Sequence, residues 1–244
     1  MKKVFITGAN KGIGFATAKQ LLQKGFYVYL GCRSEHRGLE ALEQLKSEGL
    51  PHCEIVPIDI TDDESVKDAR SRLSKKTERL DVLINNVGIT GSIPQDALNV
   101  TISEFEKVLN TNLYGTLRVV QSFTDLLEKS EEPHIINISS SIGSLTLHSD
   151  TKWKYYENAN LFMVYAVSKA ALNMYSISLG NQLPKFRVHL IDPGFIKTDL
   201  TNNQGNGTPD EAATTIVHTV LNKNIPSKKF ISDDHDSETQ ECPW

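Results

Sequence analysis

The chain has 244 residues, with 26 lysines and arginines against 30 aspartates and glutamates and a formal charge of −4, so it carries no cationic excess of the kind nucleic-acid binding needs. With 39% hydrophobic and 23% charged residues it has the composition of an ordinary soluble protein able to bury a sizeable core. Cys32, Cys53 and Cys242 are odd in number and lack metal-ligand spacing, so reduced thiols in a cytoplasmic protein are expected. The opening lysines precede only a short apolar run before Thr7 and Gly8, too brief for a signal peptide, and no later run is long enough for a bilayer.

From the first residue onward, short apolar runs alternate with helical patterns. Residues 2–7 (KKVFIT) read as a buried strand and 13–24 as a helix. Residues 26–31 (FYVYLG) form a second strand, followed by the charged amphipathic stretch 35–48. A third strand spans 53–59 (CEIVPID), with Pro57 near its end, and a polar helix follows over roughly 62–76. A fourth strand is expected at 80–85 (LDVLIN). Thr101 with Glu104 makes a capping-box opening for one long helix running toward Lys129. Residues 134–139 (HIINIS) are a fifth strand, a helix then carries YAVSK (165–169), and 187–192 (RVHLID) are a sixth strand. Thr208-Pro209-Asp210-Glu211 supplies an N-cap, a proline at the first helical position and a capping glutamate. Residues 228–232 (KKFIS) are a candidate last strand. Strands that are apolar throughout, each separated by a helix, indicate a parallel sheet covered on both faces. One doubly wound α/β domain over 1–244, without repeat or linker, is the expected architecture.

TGANKGIG (7–14) joins the first strand to the first helix, with glycines at 8, 12 and 14. Glycines there let the backbone turn sharply and approach a pyrophosphate at a helix N-terminus. The alternatives are a plain tight turn or the cofactor turn of a methyltransferase. Tyr165 and Lys169 stand four residues apart, so on a helix they share one face. They point together into a pocket or together into solvent, and spacing alone does not choose.

TGANKGIG, NNVG (85–88), NISS (137–140), YAVSK and DPGFIKT (192–198) occur in the order found in the short-chain dehydrogenase/reductase family. The sequence resembles that family over essentially its whole length, and most of all its small NADPH-dependent carbonyl reductases. The resemblance implies a Rossmann-type sheet of about seven strands and NAD(P)-dependent carbonyl and alcohol chemistry. It implies that Gly8, Asn10, Lys11, Gly12, Ile13 and Gly14 hold the cofactor. It makes Tyr165 the proton donor in reduction and Lys169 both its tuning charge and a contact to the nicotinamide ribose. A free phenol, with a pKa of about 10, is a reluctant acid–base group near neutral pH, and a neighbouring ammonium is expected to lower it. The family's catalytic serine lies three residues before the next glycine, here Gly143, which selects Ser140; Ser139 and Ser141 are expected to bond only at the strand end.

Asn112 matches a helix asparagine that helps to hold a water chain behind the lysine; the alternative is a satisfied polar residue in a helix kink. Asn86, Val87 and Gly88 match the family's NNAG turn, with valine for alanine beside the adenosine ribose. Pro193 and Gly194 would turn the chain over the nicotinamide, with Ile196 and Thr198 contacting its carboxamide. Asp59, with Ile60 beside it, matches a contact to the adenine. Arg33 ends the second strand where an NAD-specific site carries an acid, and Lys11 adds a second cation. Both would face a 2′-phosphate, and charge-assisted bonds of about 1.5–3 kcal/mol each predict NADPH over NADH by tenfold or more.

The run between Ser140 and Tyr165 is longer than the family requires. The extended loop 141–164, rich in Trp, Tyr and Phe, is expected either to wall the site with aromatic surface for hydrophobic ketones, aldehydes or quinones, or to pack on its own domain. It lies beside helices used by relatives for tetramer contacts, which bears on whether the chain is a homo-oligomer. The usual lid is brief at 199–207 and suggests an open site. Carboxylates flank His235 in SDDHDSE (232–238), but a solvated polar tail without metal is expected there, and the final Pro243-Trp244 is expected to dock back on the domain. The leading reading is NADPH-dependent reduction of a small-molecule carbonyl. The alternatives are an NAD(P)-dependent alcohol dehydrogenase working oxidatively on a sterol or sugar alcohol, and a dinucleotide-binding sensor or scaffold without turnover.

Overall fold

The computed structural model describes residues 1–235 and 239–244. The strands are β1 (Lys3–Thr7), β2 (Tyr27–Cys32), β3 (Cys53–Pro57), β4 (Val82–Asn85), β5 (His134–Ile138), β6 (Arg187–Asp192) and β7 (Phe230–Ser232). They form one sheet in the order β3-β2-β1-β4-β5-β6-β7, and every neighbouring pair is parallel. The chain runs outward from β1 to β3 and then crosses to β4. The strand order therefore reverses at β1, and ligands bind at such a switch point beyond the carboxyl ends of the strands.

The apolar strands are explained by their two covered faces. Side chains alternate along a strand, so Val4 and Ile6 enter one core layer while Phe5 enters the other. The first layer is closed by α1 (Gly12–Gln23), α2 (Glu35–Ser47) and α9 (Pro209–Leu221), through Leu21, Leu45 and Ile216. The second is closed by α3 (Asp63–Ser74), α5 (Thr116–Leu127) and α8 (Met163–Gln182), through Leu73, Phe123 and Leu179. Phe5 and Phe123 lie fully buried with ring centroids 4.8 Å apart.

Local chemistry sets the helix starts. The side chains of Ser34 and Asp62 accept first-turn amides of α2 and α3, and Thr208 and Glu211 complete a reciprocal capping box with Pro209 at the start of α9. The box expected at Thr101 is only half made. Thr101 accepts from Glu104 N in α4 (Ile102–Leu109), but the Glu104 carboxylate accepts instead from the Ser92 amide at 2.5 Å. The single long helix expected there is two, α4 and α5, joined by a π turn at Asn110–Gly115. Such a turn admits an extra residue into the helical ladder, and it commonly marks a functional position.

The segment 141–164 is not an irregular loop. It contains a 3₁₀ turn (Ser141–Gly143) and two short helices, α6 (Leu145–Ser149) and α7 (Tyr156–Ala159). Trp153 is buried, with its ring 5.7 Å from both His148 and Tyr155, so much of the aromatic surface packs on itself. The C-terminus closes against it. The Trp244 carbonyl accepts from Thr146 N at 2.7 Å, and the Trp244 ring lies 5.5 Å from Phe230.

Candidate active site

At the end of β1 the glycine-rich turn is folded tightly on itself. Gly8 and Gly12 have φ of 67° and 56°, a region glycine enters without penalty. A Cβ on Gly14 would lie 2.5 Å from the Gly8 carbonyl oxygen, so only a glycine lets helix and strand approach this closely. Asn86 locks the turn. Its amide donates to Thr7 Oγ1 at 2.9 Å, and its Nδ2 donates to the Thr7 and Gly8 carbonyls at 3.0 and 3.3 Å. Val87 abuts Gly8 from the same side. Ile13 packs on the core below, and Asn10 faces the cleft above. Lys11 precedes α1 without a side-chain cap bond, which leaves the first-turn amides open to an anion. These features fit a dinucleotide pyrophosphate.

Tyr165 and Lys169 point inward, not into solvent; they are 7% and 3% exposed. The Lys169 ammonium lies 5.6 Å from the Tyr165 ring centroid and donates to the Ile138 carbonyl at 2.8 Å. Gly143 stands directly against Lys169, a close approach that fixes α8 on the turn after β5. Ser140 lies two residues past β5, where its Oγ accepts from Ile142 N at 3.3 Å, and its hydroxyl meets the Tyr165 phenol. Its neighbours are engaged elsewhere: Ser139 donates to Asn173, and the Ser141 amide is bonded to Asp192. Of the three serines, Ser140 therefore shares the site with Tyr165.

The electrostatics differ from the expectation drawn from spacing. Burial pushes the Tyr165 phenol above its ordinary value, the Ser140 hydrogen bond pulls it back, and the charge of Asp192 raises it further. Burial also pushes Lys169 down, to about 8, against the attraction of Asp192. Desolvation is the largest influence on both groups, and for the phenol it favours the protonated form.

Asn112 sits in the π turn, fully buried. Its Oδ1 accepts from Ile89 N at 2.8 Å, and its Nδ2 donates to Ile89 O and to Ser168 Oγ, both at 2.9 Å. It holds the loop after Gly88 and α8 together; a Cβ at Gly88 would lie 3.5 Å from Lys169 Nζ and 3.6 Å from Asn112 Oδ1. Ser168, which stands just before Lys169 in YAVSK, is the partner that sequence reasoning missed.

At the far end of the turn, both expected cations already face carboxylates. Lys11 pairs with Asp199, and Arg33, 82% exposed, stands 4.0 Å from Asp59. Burial opposes ionisation of Asp59, yet the hydroxyl and amide of Thr61 and the charge of Arg33 hold its carboxyl below the usual range. Ile60 is buried against Gly115. A third cation, Arg37, lines the same open cleft with Asn10, Lys11 and Asp199. No motif marked it, but its place in the first turn of α2, just past β2, was the available signal.

After β6, Pro193 leads into Gly194, whose φ of 81° makes the turn. Ile196 is buried and bridged to Gly207, and the side chain of Thr198 lies beside Gly12. The lid thus starts against the glycine turn. Asp192 accepts from Ser232 Oγ at 3.0 Å and from Gly194 N at 3.2 Å. Within the tail read as solvated, residues 236–238 lie outside the described residues, but His235 is drawn inward, its Nε2 3.9 Å from Asp192. Asp192, His235 and Cys242 bring donor atoms within 4.8 Å of one another.

A family profile described as short chain dehydrogenase matches residues 2–208. The chain is 30% identical to a (+)-neomenthol dehydrogenase of Capsicum annuum, over 90% of this chain and 91% of that one. The structure of an NADPH-bound carbonyl reductase from chicken fatty liver superposes with a TM-score of 0.83 at 30% identity, covering 100% of this chain and 99% of the other. A Burkholderia multivorans short-chain dehydrogenase/reductase described as putative, with bound NADP, gives 0.83 at 26% identity, covering 100% and 99%. The chain belongs to the short-chain dehydrogenase family and is an oxidoreductase that works on carbonyl or alcohol groups with a nicotinamide dinucleotide.

Proposed function

We propose that this protein reduces a hydrophobic ketone, aldehyde or quinone with NADPH, in the cytoplasm. The observation that carries the reading is the convergence of Ser140, Tyr165 and Lys169 at the carboxyl end of β5, with the phenol buried beside Ser140. The bound dinucleotide supplies the hydride. Ser140 donates to the substrate oxygen and orients it, and Tyr165 gives its proton to that oxygen as negative charge develops there. A phenol held above its ordinary pKa is in the donor form that reduction needs. Lys169, charged below about pH 8, offsets the charge left on the phenol. Lys11 and Arg37, with Arg33 at the rim, favour the 2′-phosphate, and the NADP-bound structures to which the chain is similar support that choice. No described helix is long and apolar enough to cross a membrane.

The test is a fluorescence titration with NADPH and with NADH, followed by turnover of aromatic carbonyls with the preferred cofactor. NADPH binding at least about tenfold tighter is expected. Equal or tighter NADH binding would reverse the cofactor assignment and favour the alcohol dehydrogenase reading.

A further inference from the structure

Tyr165 stands in the first turn of α8, where backbone amides have no partner within the helix. Phe162, which precedes that helix, makes no side-chain cap bond. The amides are nevertheless satisfied from a distant part of the chain. Gln95 Oε1 accepts from Val164 N at 2.9 Å and from Tyr165 N at 3.1 Å. Its Nε2 donates to the Thr90 carbonyl at 2.6 Å. Gln95 is 1% exposed, and its own backbone amide donates to Leu161 O at 2.9 Å. The side chain is thus a buried bridge between the loop after Gly88 and the start of the catalytic helix.

The other side of the Tyr165 residue is tied to the same loop. Ser168 Oγ donates to the Tyr165 carbonyl at 2.7 Å and accepts from Asn112, which in turn grips Ile89. The N–H and the C=O of Tyr165 are therefore both held, through Gln95 and through Ser168 with Asn112, by residues 89–95. That loop leads directly from the Asn86-Val87-Gly88 turn. It is itself fastened by Glu104, which accepts from Ser92 N, and it turns at Gly91, whose φ of 79° and crowding by Glu104 and Gln95 leave no room for a side chain.

We propose that Gln95 is a positioning residue for Tyr165: it caps the catalytic helix from the loop behind the cofactor turn and so sets where the phenol stands relative to Ser140. The inference rests on the proposed carbonyl reduction. A proton donor misplaced by about 1 Å can lose on the order of a hundredfold in rate, so capping here bears on catalysis as well as on folding.

Two variants separate acceptance of the helix amides from mere filling of space. Gln95→Met keeps the length and buried volume and accepts nothing. Gln95→Glu keeps an acceptor toward both amides and, in the protonated form that burial against the Thr90 carbonyl favours, a donor toward that carbonyl. In Gln95→Met, kcat is expected to fall about tenfold or more, NADPH affinity to stay at the wild-type value, and the Val164 and Tyr165 amides to exchange faster with solvent. Gln95→Glu is expected to restore slow exchange and most of kcat. A folded Gln95→Met with wild-type kcat and exchange would overturn the proposal, as would a parallel loss of NADPH affinity, which would mean a general structural role. Should that variant not fold, Gln95→Glu decides alone: faster exchange of the two amides with NADPH still bound would sink the idea. A wild-type protein that binds NADPH but reduces no carbonyl would defeat the functional reading, while the exchange measurement still judges the cap.

Discussion

The two ends of the cofactor cleft are built by different means. At the glycine turn, geometry is made by backbone: left-handed glycines, a Gly14 with no space for a Cβ, and an asparagine clamping two carbonyls. At Ser140, Tyr165 and Lys169, geometry is made by side chains drawn from two separate stretches, the turn after β5 and α8, and chemistry is set by burial more than by neighbours. The first end is a mould of backbone, clamped by Asn86 from the loop after β4. The second depends on the whole fold to hold it in place.

Paired substitutions should expose that difference most strongly. Tyr165→Phe removes only the proton donor, so kcat should drop by about 10²–10⁴ while NADPH still binds. Gly14→Ala puts a methyl group 2.5 Å from the Gly8 carbonyl oxygen; overpacking of this kind costs about 1–3 kcal/mol, and NADPH affinity should fall about tenfold or more. Steady-state kinetics beside fluorescence titration checks both. Loss of NADPH binding in Tyr165→Phe, or normal binding in Gly14→Ala, would break the contrast between the two ends.

The same difference explains what the sequence made legible. Seven parallel strands could be read because each is apolar on both faces and bounded by turn residues, and the glycine turn because its glycines answer to local backbone demands. Tyr165 and Lys169 were visible as a helical pair, and the family resemblance chose Ser140 among its neighbours. Three features were not legible because they depend on contacts between distant segments. The break between α4 and α5 follows from Asn112 reaching across to Ile89 and Ser168. The half-made box at Thr101 follows from Ser92 claiming Glu104. The raised phenol follows from burial, which periodicity suggests in direction but not in degree.

A pH profile sharpens the account of the catalytic end. Lys169 titrates at about 8 against an ordinary value of 10.5, so it is charged below pH 8 and loses its proton above. Carbonyl reduction should be level below that point and fall by up to about tenfold per pH unit beyond it, because the phenol stays protonated while its supporting charge disappears. Stability should move the other way. Between about 8 and 10.5 the unfolded chain binds more protons at this lysine than the folded one, so its contribution to folding stability rises with pH there. A reduction rate already declining well below pH 7 would instead show the phenol lowered into the neutral range by its neighbour.

The smallest effect concerns the glycine-turn end, where Lys11 is proposed to read the phosphate. Lys11 and Asp199 are 56% and 69% exposed, so their ion pair is weakly held in water and a phosphate can displace it. On the proposed reading Asp199 competes with NADPH for Lys11, and the charge of Arg37 reaches the same carboxylate. Asp199→Asn removes the competitor together with a negative charge beside the phosphate. NADPH should bind a few-fold tighter, up to about tenfold, with NADH nearly unchanged and the gain shrinking as salt is raised. The pair also ties the lid to the glycine turn, since Asp199 opens the short 3₁₀ turn Asp199–Thr201. If NADPH and NADH weaken together in Asp199→Asn, Asp199 serves the lid more than it opposes the phosphate, and Lys11 reads position instead of charge.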